Sequence, residues 1–387
     1  MARRIAIVGA GIAGLATAIG LQRRGYEITV VERRADTSPG AGISIWPNAL
    51  AALDFLEVGN GVRAAGGRIT AGAVRWHDGS WLRRPAAERI VRALGEPLVV
   101  VQRSVLRDIL TEALAPGTVE YGLTASDLTT TSDGVRLQFS DGTVRTVDAV
   151  VGADGTYSVV ASHLNGRLRQ RYTGYTAWRG IAPVAMDPDL SGITLGLGSE
   201  SGHVPMGSDL TYWFTTQRAP EGWQAPGGEL DYLRHKHAQW AEPLPGILAA
   251  TAPGDVLRDD LYDRGHARHW ARGPVVLVGD AAHPMRPHLG QGGCQGLEDA
   301  AILAACVDQA ADLSSAFTRF AAVRRPRVRP LVRDSARVGK VLNLRPDFLG
   351  AAISRATVLV PEPLLMRRMA SVAGRSAFAL PTPSQSR

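Results

Sequence analysis

Two hydrophobic rhythms run along this chain, and the places where one gives way to the other outline its elements. Residues 4–9, RIAIVG, form a continuous apolar run closed by glycine, which predicts a strand buried on both faces. LATAIGLQRRG follows with apolar positions at helical spacing and ends at Gly25, a residue suited to the position just past a helix. YEITVVE predicts a second strand with Glu32 at its end. Far downstream, GPVVLVGD at 273–280 is another buried strand, and CQGLEDAAILAACV after it predicts a helix. Between these lie RITAGAVRWHDGSWL, YTAWRGIAPVAM and GITLGLGSESGHVPMGSDLTYWFTTQ, whose alternation and turn signals predict antiparallel strands. SDG at 132–134 and again at 140–142 marks two hairpin turns. Residues 341–380 read as helical, with PEPLLMRRMASVAGRSAF amphipathic; packing against the body is favoured over a membrane-surface or dimer contact. The tail PTPSQSR reads as disordered, and no internal repeat is found.

Composition narrows the class without changing that outline. With 45% hydrophobic and 20% charged residues, the chain reads as a globular protein with ample core. The net charge of +7 is carried almost wholly by arginine, since Lys236 and Lys340 are the only lysines. No basic stripe with interleaved aromatics accompanies it, so nucleic acid is not expected as a partner, while an anionic dinucleotide is. Cys294 and Cys306 alone give neither a disulfide framework nor a CxxC metal signature, and His283 and His288 lack further ligands, so no metal is expected. No run approaches the length of a membrane span, and the chain enters its first strand without a leader-like segment, which gives a cytoplasmic location as the expectation.

The chemistry concentrates at two glycine-rich turns. GAGIAG places Gly9, Gly11 and Gly14 between the first strand and the first helix, and Glu32 lies 18 residues beyond Gly14. Gly9 suits the tight turn, Gly11 lets backbone approach a pyrophosphate, and Gly14 lets helix and strand pack closely. The helix N-terminus favours phosphate, and Glu32 can accept from a ribose hydroxyl. The same carboxylate would repel a 2′-phosphate. The second turn is GDAAHPMRPHLGQGGCQGLEDA at 279–300. Asp280 at its strand end can accept from a polyol, and Pro287 stiffens the loop. Gly290, Gly292 and Gly293 free backbone N–H groups to face a ligand at the start of a helix, whose positive end stabilises negative charge. A nicotinamide dinucleotide does not call for a second grip of this kind. FAD does, because its far end must also be held.

That second loop resembles the GD(A/S)AHxxxPxxGQG…EDA motif of single-component FAD-dependent aromatic monooxygenases, the p-hydroxybenzoate-hydroxylase-like family. Within it the chain resembles the branch of 3-hydroxybenzoate 6-hydroxylases, FAD-dependent urate hydroxylases and zeaxanthin epoxidases. GAGISIWPNALAAL at 40–53, VQRSVLRDIL at 101–110, VVGADGTYSVV at 150–160 and FAAVRRPRVRPLVRDSARVG resemble further family segments in order, so the likeness covers roughly residues 3–340. It implies an α/β (α+β overall) protein: a Rossmann-like FAD-binding domain at 1–71, 96–168 and 262–340, with an inserted, mostly antiparallel β-sheet substrate domain at 72–95 and 169–261. C-terminal helices and a tail occupy 341–387. It adds Arg33, Gly42, Ser44, Arg103, Leu123, Asp154, Gly155 and Gln291 to the cofactor-binding set, and non-covalent FAD with NADH or NADPH as co-substrate. The implied reaction is NAD(P)H-driven oxygenation of an aromatic or polyene molecule by O2, through a C4a-hydroperoxyflavin.

Two departures matter. Ala161 stands where the DG segment usually closes with arginine, which leaves the nicotinamide preference open, and Arg179 follows Trp178 where the urate branch has asparagine. Candidates for the substrate site are Tyr212, which could orient or deprotonate a phenol or merely pack, Arg179, which could pair with an anion, and His203 as a base. Cys294 could carry a lowered pKa at its helix start or serve as a small packing residue. Monomer and homodimer both remain open. So do two other functions on this scaffold: a non-oxygenating flavin reductase, and a binding protein without catalysis.

Overall fold

The computed structural model describes residues 3–34 and 41–382. Gly40 of the 40–53 segment and residues 383–387 of the predicted tail lie outside the described residues. The first strand, Arg4–Val8, is the centre of a six-stranded sheet and pairs in parallel with Glu27–Glu32 on one side and Ala149–Gly152 on the other. Val119–Tyr121 extends the sheet beyond Glu27–Glu32, and Val275–Leu277 followed by Ala271–Arg272 extends it the other way. The continuous apolar run is explained by burial on both faces: Ile5 and Ile7 are almost wholly enclosed.

Helix Ile12–Gln22 crosses from the first strand to the second and packs against helix Gly292–Asp308, so the two glycine-rich turns end up side by side. Both helices are apolar nearly all round because each is covered on both sides. Two three-stranded sheets flank this body. One comprises Gly42–Ile45, Leu98–Gln102 and Gly67–Ile69; in the other, hairpin turns at Asp133 and Asp141 join Ala125–Thr131, Gly134–Phe139 and Val144–Val147.

The inserted layer is a seven-stranded sheet in the order Leu257–Arg264, Gln170–Ala182, Thr211–Arg218, Ser199–Pro205, Gly192–Gly196, Ala73–Trp76, Trp81–Arg83. All its pairings are antiparallel except Ala73–Trp76 with Gly192–Gly196. The strand Leu257–Arg264 runs straight through the junction expected at 261/262. Helices Glu229–Lys236 and Leu244–Ala250 cover one face of this sheet, burying Trp178 and Trp213. The other face looks toward the flavin-type domain. A 30-residue helix, Leu313–Leu342, runs along the body, and helices Asp347–Ala356 and Glu362–Ala373 complete the chain.

Candidate active site

The turn after the first strand shows why its glycines are needed. Gly9 has φ +106°, and a Cβ there would sit 2.5 Å from the Ala153 carbonyl oxygen. A Cβ on Gly14 would lie 2.0 Å from the Gly9 oxygen. Gly11, by contrast, has nothing within 4 Å of where a Cβ would be, at the N-terminus of a helix with no side-chain cap. Two glycines thus permit packing, and the third leaves open space beside unpaired helical N–H groups, the arrangement a pyrophosphate fits. Glu32 is held at this turn: one carboxylate oxygen accepts from Ala10 N at 2.9 Å and the other from Arg34 N at 3.0 Å. Arg33 is exposed beside it, and Leu123 N donates to the Glu32 carbonyl at 3.0 Å. Asp154 spends its carboxylate locally. Ser158 donates to one oxygen at 2.5 Å and Val159 N to the other at 2.7 Å, capping helix Val159–Asn165, while burial raises its pKa above the ordinary carboxylate value. Gly155, with φ +74°, leaves open space beside it.

Across the sheet, the second loop is anchored from below by a buried polar network. Asp299, on helix Gly292–Asp308, accepts from Gly279 N at 2.8 Å and lies 2.6 Å from His283 Nε2. Arg324 donates to Asp299 and Glu298, each at 2.6 Å, from the long helix behind. Gln291, fully buried, accepts from Asn48 and Gln295 through Oε1, so that end of its side chain belongs to this network, while its Nε2 has no partner among the described residues. Cys294 is a packing residue: burial pushes its thiol up to about 12, the opposite of an activated cysteine at a helix start. Above the network, Asp280 and Pro287 are exposed. Gly290, at φ +60°, turns the chain against the Trp46 ring and into the helix begun by Gly292 and Gly293. Arg264 donates to Ala281 O at 2.8 Å; burial pulls its pKa down to about 10 against the pull of Asp280 and Asp154.

The substrate-facing side of the inserted sheet closes over this cleft. Gly42 presses on the Tyr212 ring, since a Cβ there would meet Tyr212 Cγ at 2.5 Å. Burial raises the Tyr212 phenol, opposed by Arg179 and Arg103 nearby. Arg103 keeps solvent-exposed surface, yet desolvation lowers its pKa, with Asp280 pulling the other way and Arg179, Arg107 and Arg34 adding repulsion. An accessible arginine that is nevertheless desolvated lies inside a deep crevice. Tyr212, Arg179, Arg103 and Asp280 thus lie within electrostatic reach of one another on this side of the sheet, with Gly42 against the Tyr212 ring and the Ser44 carbonyl accepting from Cys294 Sγ. Arg179 also pairs with Asp259.

His203 requires a correction. It pairs with Trp213 while its neighbour Val204 pairs with Tyr212, so strand alternation turns His203 away from the cleft, toward the covering helices. Burial beside Arg75 pushes its pKa down to about 4, and it is no base for a substrate on the other face. A cluster with no signal in the sequence beyond His288 itself lies on the cleft side: Glu200 Oε1 is 2.6 Å from His288 Nδ1, and Tyr175 OH is 2.7 Å from His288 Nε2. This buried chain ties the second loop to the substrate sheet. Among the described residues, no group of three or more His, Cys, Asp or Glu is placed to hold a metal ion.

Two glycine-rich turns lying side by side beneath a second sheet are the arrangement suited to a flavoprotein of the FAD-dependent monooxygenase type. Comparison with known proteins agrees: residues 3–334 match the FAD binding domain family, and the chain belongs to it. It is 36% identical over 340 residues to the aurachin C monooxygenase/isomerase of Stigmatella aurantiaca, covering 87% of this chain and 89% of that one. To the 3-amino-4-hydroxybenzoate 2-monooxygenase of Streptomyces cremeus it is 35% identical, covering 89% and 88%. Klebsiella pneumoniae HpxO, crystallised with FAD and uric acid, superposes with a TM-score of 0.87 at 26% identity, covering 96% of each chain. The chain is an FAD-dependent monooxygenase of a family whose members hydroxylate or epoxidise their substrates.

Proposed function

We propose that this protein hydroxylates a small aromatic or heteroaromatic molecule bearing a phenol-like hydroxyl or an acidic group, using NADH or NADPH and O2. The observation that carries this reading is the gathering of Tyr212, Arg179 and Arg103 in the cleft above Asp280. The geometry fits FAD. The open space at Gly11 and the Glu32 carboxylate suit its adenosine end, and Asp280 with the N-terminus of helix Gly292–Asp308 suits its ribityl and ring end. When bound, FAD supplies the redox chemistry, taking hydride from the nicotinamide and activating O2 for transfer of one oxygen atom.

The chain's own residues orient and shield. Tyr212, a phenol already protonated at neutral pH whose pKa burial raises further, can donate a hydrogen bond to a substrate oxygen. Arg179 and Arg103 bias the cleft toward an anion. The sheet and its covering helices keep water from the reacting face. Two relatives point to such substrates: one carries a hydroxybenzoate in its name, and the HpxO crystals hold uric acid.

The test is a screen of hydroxylated aromatic acids and heteroaromatics with the FAD-loaded protein, following NADH and NADPH oxidation and the gain of one oxygen atom by mass. Oxidation that no aromatic stimulates, with no oxygenated product, would sink the proposal and favour a reductase. Within a productive pair, Tyr212→Phe is expected to lower kcat/KM by roughly tenfold to a hundredfold. The flavin spectrum should not change, because the ring still packs on Gly42. An unaltered kcat/KM would reduce Tyr212 to a packing residue.

A further inference from the structure

The C-terminal helices do not share one fate. Glu362–Ala373 packs Met366, Met369, Val372 and Ala373 against helix Ala87–Leu94 and Trp46, as an amphipathic helix should. The preceding helix, Asp347–Ala356, is turned inside out. Its buried positions are Gly350 and Ser354, and a Cβ on Gly350 would meet the Val341 carbonyl at 2.7 Å. Away from those positions Phe348 is 64% exposed, and Leu349 and Ile353, an i, i+4 pair, form a second exposed apolar ridge beside it. The apolar surface continues through the turn, where Leu359 is 80% exposed, to Leu364 at 59%. Isolated exposed apolar residues need no explanation, but a cluster of them on one short helix and the turn after it does.

Its charge surroundings say what would cover it. Between 337 and 368 the chain carries six basic residues and two acidic ones, Asp347 and Glu362. Those two are neutralised from outside the segment by Arg218 and Arg89. Lys340, Arg345 and Arg367 are exposed and, among the described residues, in no ion pair. The patch is also braced, not loose: Arg83 donates to the Thr357 and Val360 carbonyls, and the Arg355 guanidinium stacks 4.5 Å from the Trp76 ring. Among the described residues no single helix is long and apolar enough to cross a membrane, and Asp347–Leu359 meets Glu362–Ala373 at 103°. Exposed apolar side chains on a sharply bent segment that also carries the unpaired cations Arg345 and Arg367 match an anionic lipid surface.

We propose that the face formed by Asp347–Ala356 and the turn to Leu364 docks on an anionic membrane surface, with Phe348, Leu359 and Leu364 entering the headgroup layer. The test is flotation of the FAD-loaded full chain with phosphatidylcholine vesicles, with and without phosphatidylglycerol. Binding is expected with phosphatidylglycerol, is weakened by salt, and falls by roughly tenfold in a Phe348→Ser/Leu359→Ser variant. Arg345→Glu/Arg367→Glu, which disturbs no packing, is expected to lose binding to a similar degree. Unchanged flavin absorbance in each variant certifies the fold. No flotation of the wild type, or flotation that neither salt nor these substitutions alter, overturns the proposal. So does a dimer in sedimentation velocity that both variants dissociate without any vesicle binding, because the cover would then be a second copy.

Discussion

Arg324→Met is expected to lower the unfolding free energy by about 3–5 kcal/mol, because it removes the cation shared by two buried carboxylates and leaves only His283 beside Asp299 and Arg327 beside Glu298. Arg324 is 1% exposed, as is Glu298, and Asp299 is fully enclosed. Burial alone would raise both acids, but His283 and Arg324 beside Asp299, and Arg324 and Arg327 beside Glu298, hold them below their ordinary values of 3.8 and 4.5. A carboxylate whose folded pKa is depressed stabilises the fold above its ordinary pKa, and that contribution is lost as pH falls through and below it. In the wild type the network therefore contributes fully near neutral pH and fails only in acid, below about pH 4. Removing the guanidinium weakens the opposition to burial: the acids take up protons more readily than in the wild type, and mild acid relieves part of the uncompensated charge. The stability gap between wild type and variant should accordingly shrink between about pH 8 and about pH 5 in denaturant titrations. A loss under about 1 kcal/mol, with a gap that ignores pH, would show that the network is not the anchor described. Because Asp299 also holds Gly279 and His283, the variant should release flavin more easily than its stability alone explains.

Arg324 also shows what the sequence could and could not disclose. In the long helix the buried positions are Phe317, Phe320, Arg324, Val328, Leu331, Ser335 and Gly339, an ordinary three-and-four spacing with an arginine set into it. The stretch VRRPRVRP offers several arginines, and helical phase singles out this one, but only once the partner helix is known to supply EDA acids. The glycine turns were legible because backbone geometry demands glycine at Gly9 and Gly14 whatever the context. The inserted sheet was legible from its alternation. Which face of that sheet held the cleft was not, since it depends on register between strands distant in sequence. His203 was misplaced for that reason, and Glu200 and Tyr175, which meet His288, went unseen. The same limit applies at the C-terminus: 361–378 announces its amphipathic pattern, whereas the outward turn of Phe348 depends on how closely Gly350 approaches the end of the long helix.

The glycine turn permits a sharper experiment, because two of its glycines are there for opposite reasons. Gly14→Ala would bring a methyl to 2.0 Å from the Gly9 carbonyl oxygen, and Gly9 cannot retreat, being itself pressed on Ala153 at φ +106°. The first helix must shift, at a cost of about 3 kcal/mol or more, and its N-terminus leaves the place where it faces a pyrophosphate. The variant should lose stability and flavin together, with FAD affinity down by roughly a hundredfold. Gly11→Ala meets nothing within 4 Å, and its φ of −75° with ψ 176° is ordinary for alanine. Stability of the flavin-free protein should therefore stay within about 0.5 kcal/mol of wild type. Yet the added methyl occupies the space left for phosphate, so FAD affinity should still fall by roughly tenfold or more. Fluorescence titration of FAD into each flavin-free variant, paired with denaturant unfolding, separates the two effects. Should Gly11→Ala bind FAD as tightly as wild type, the pyrophosphate does not lie against this turn. The open space at Gly11 would then need another explanation.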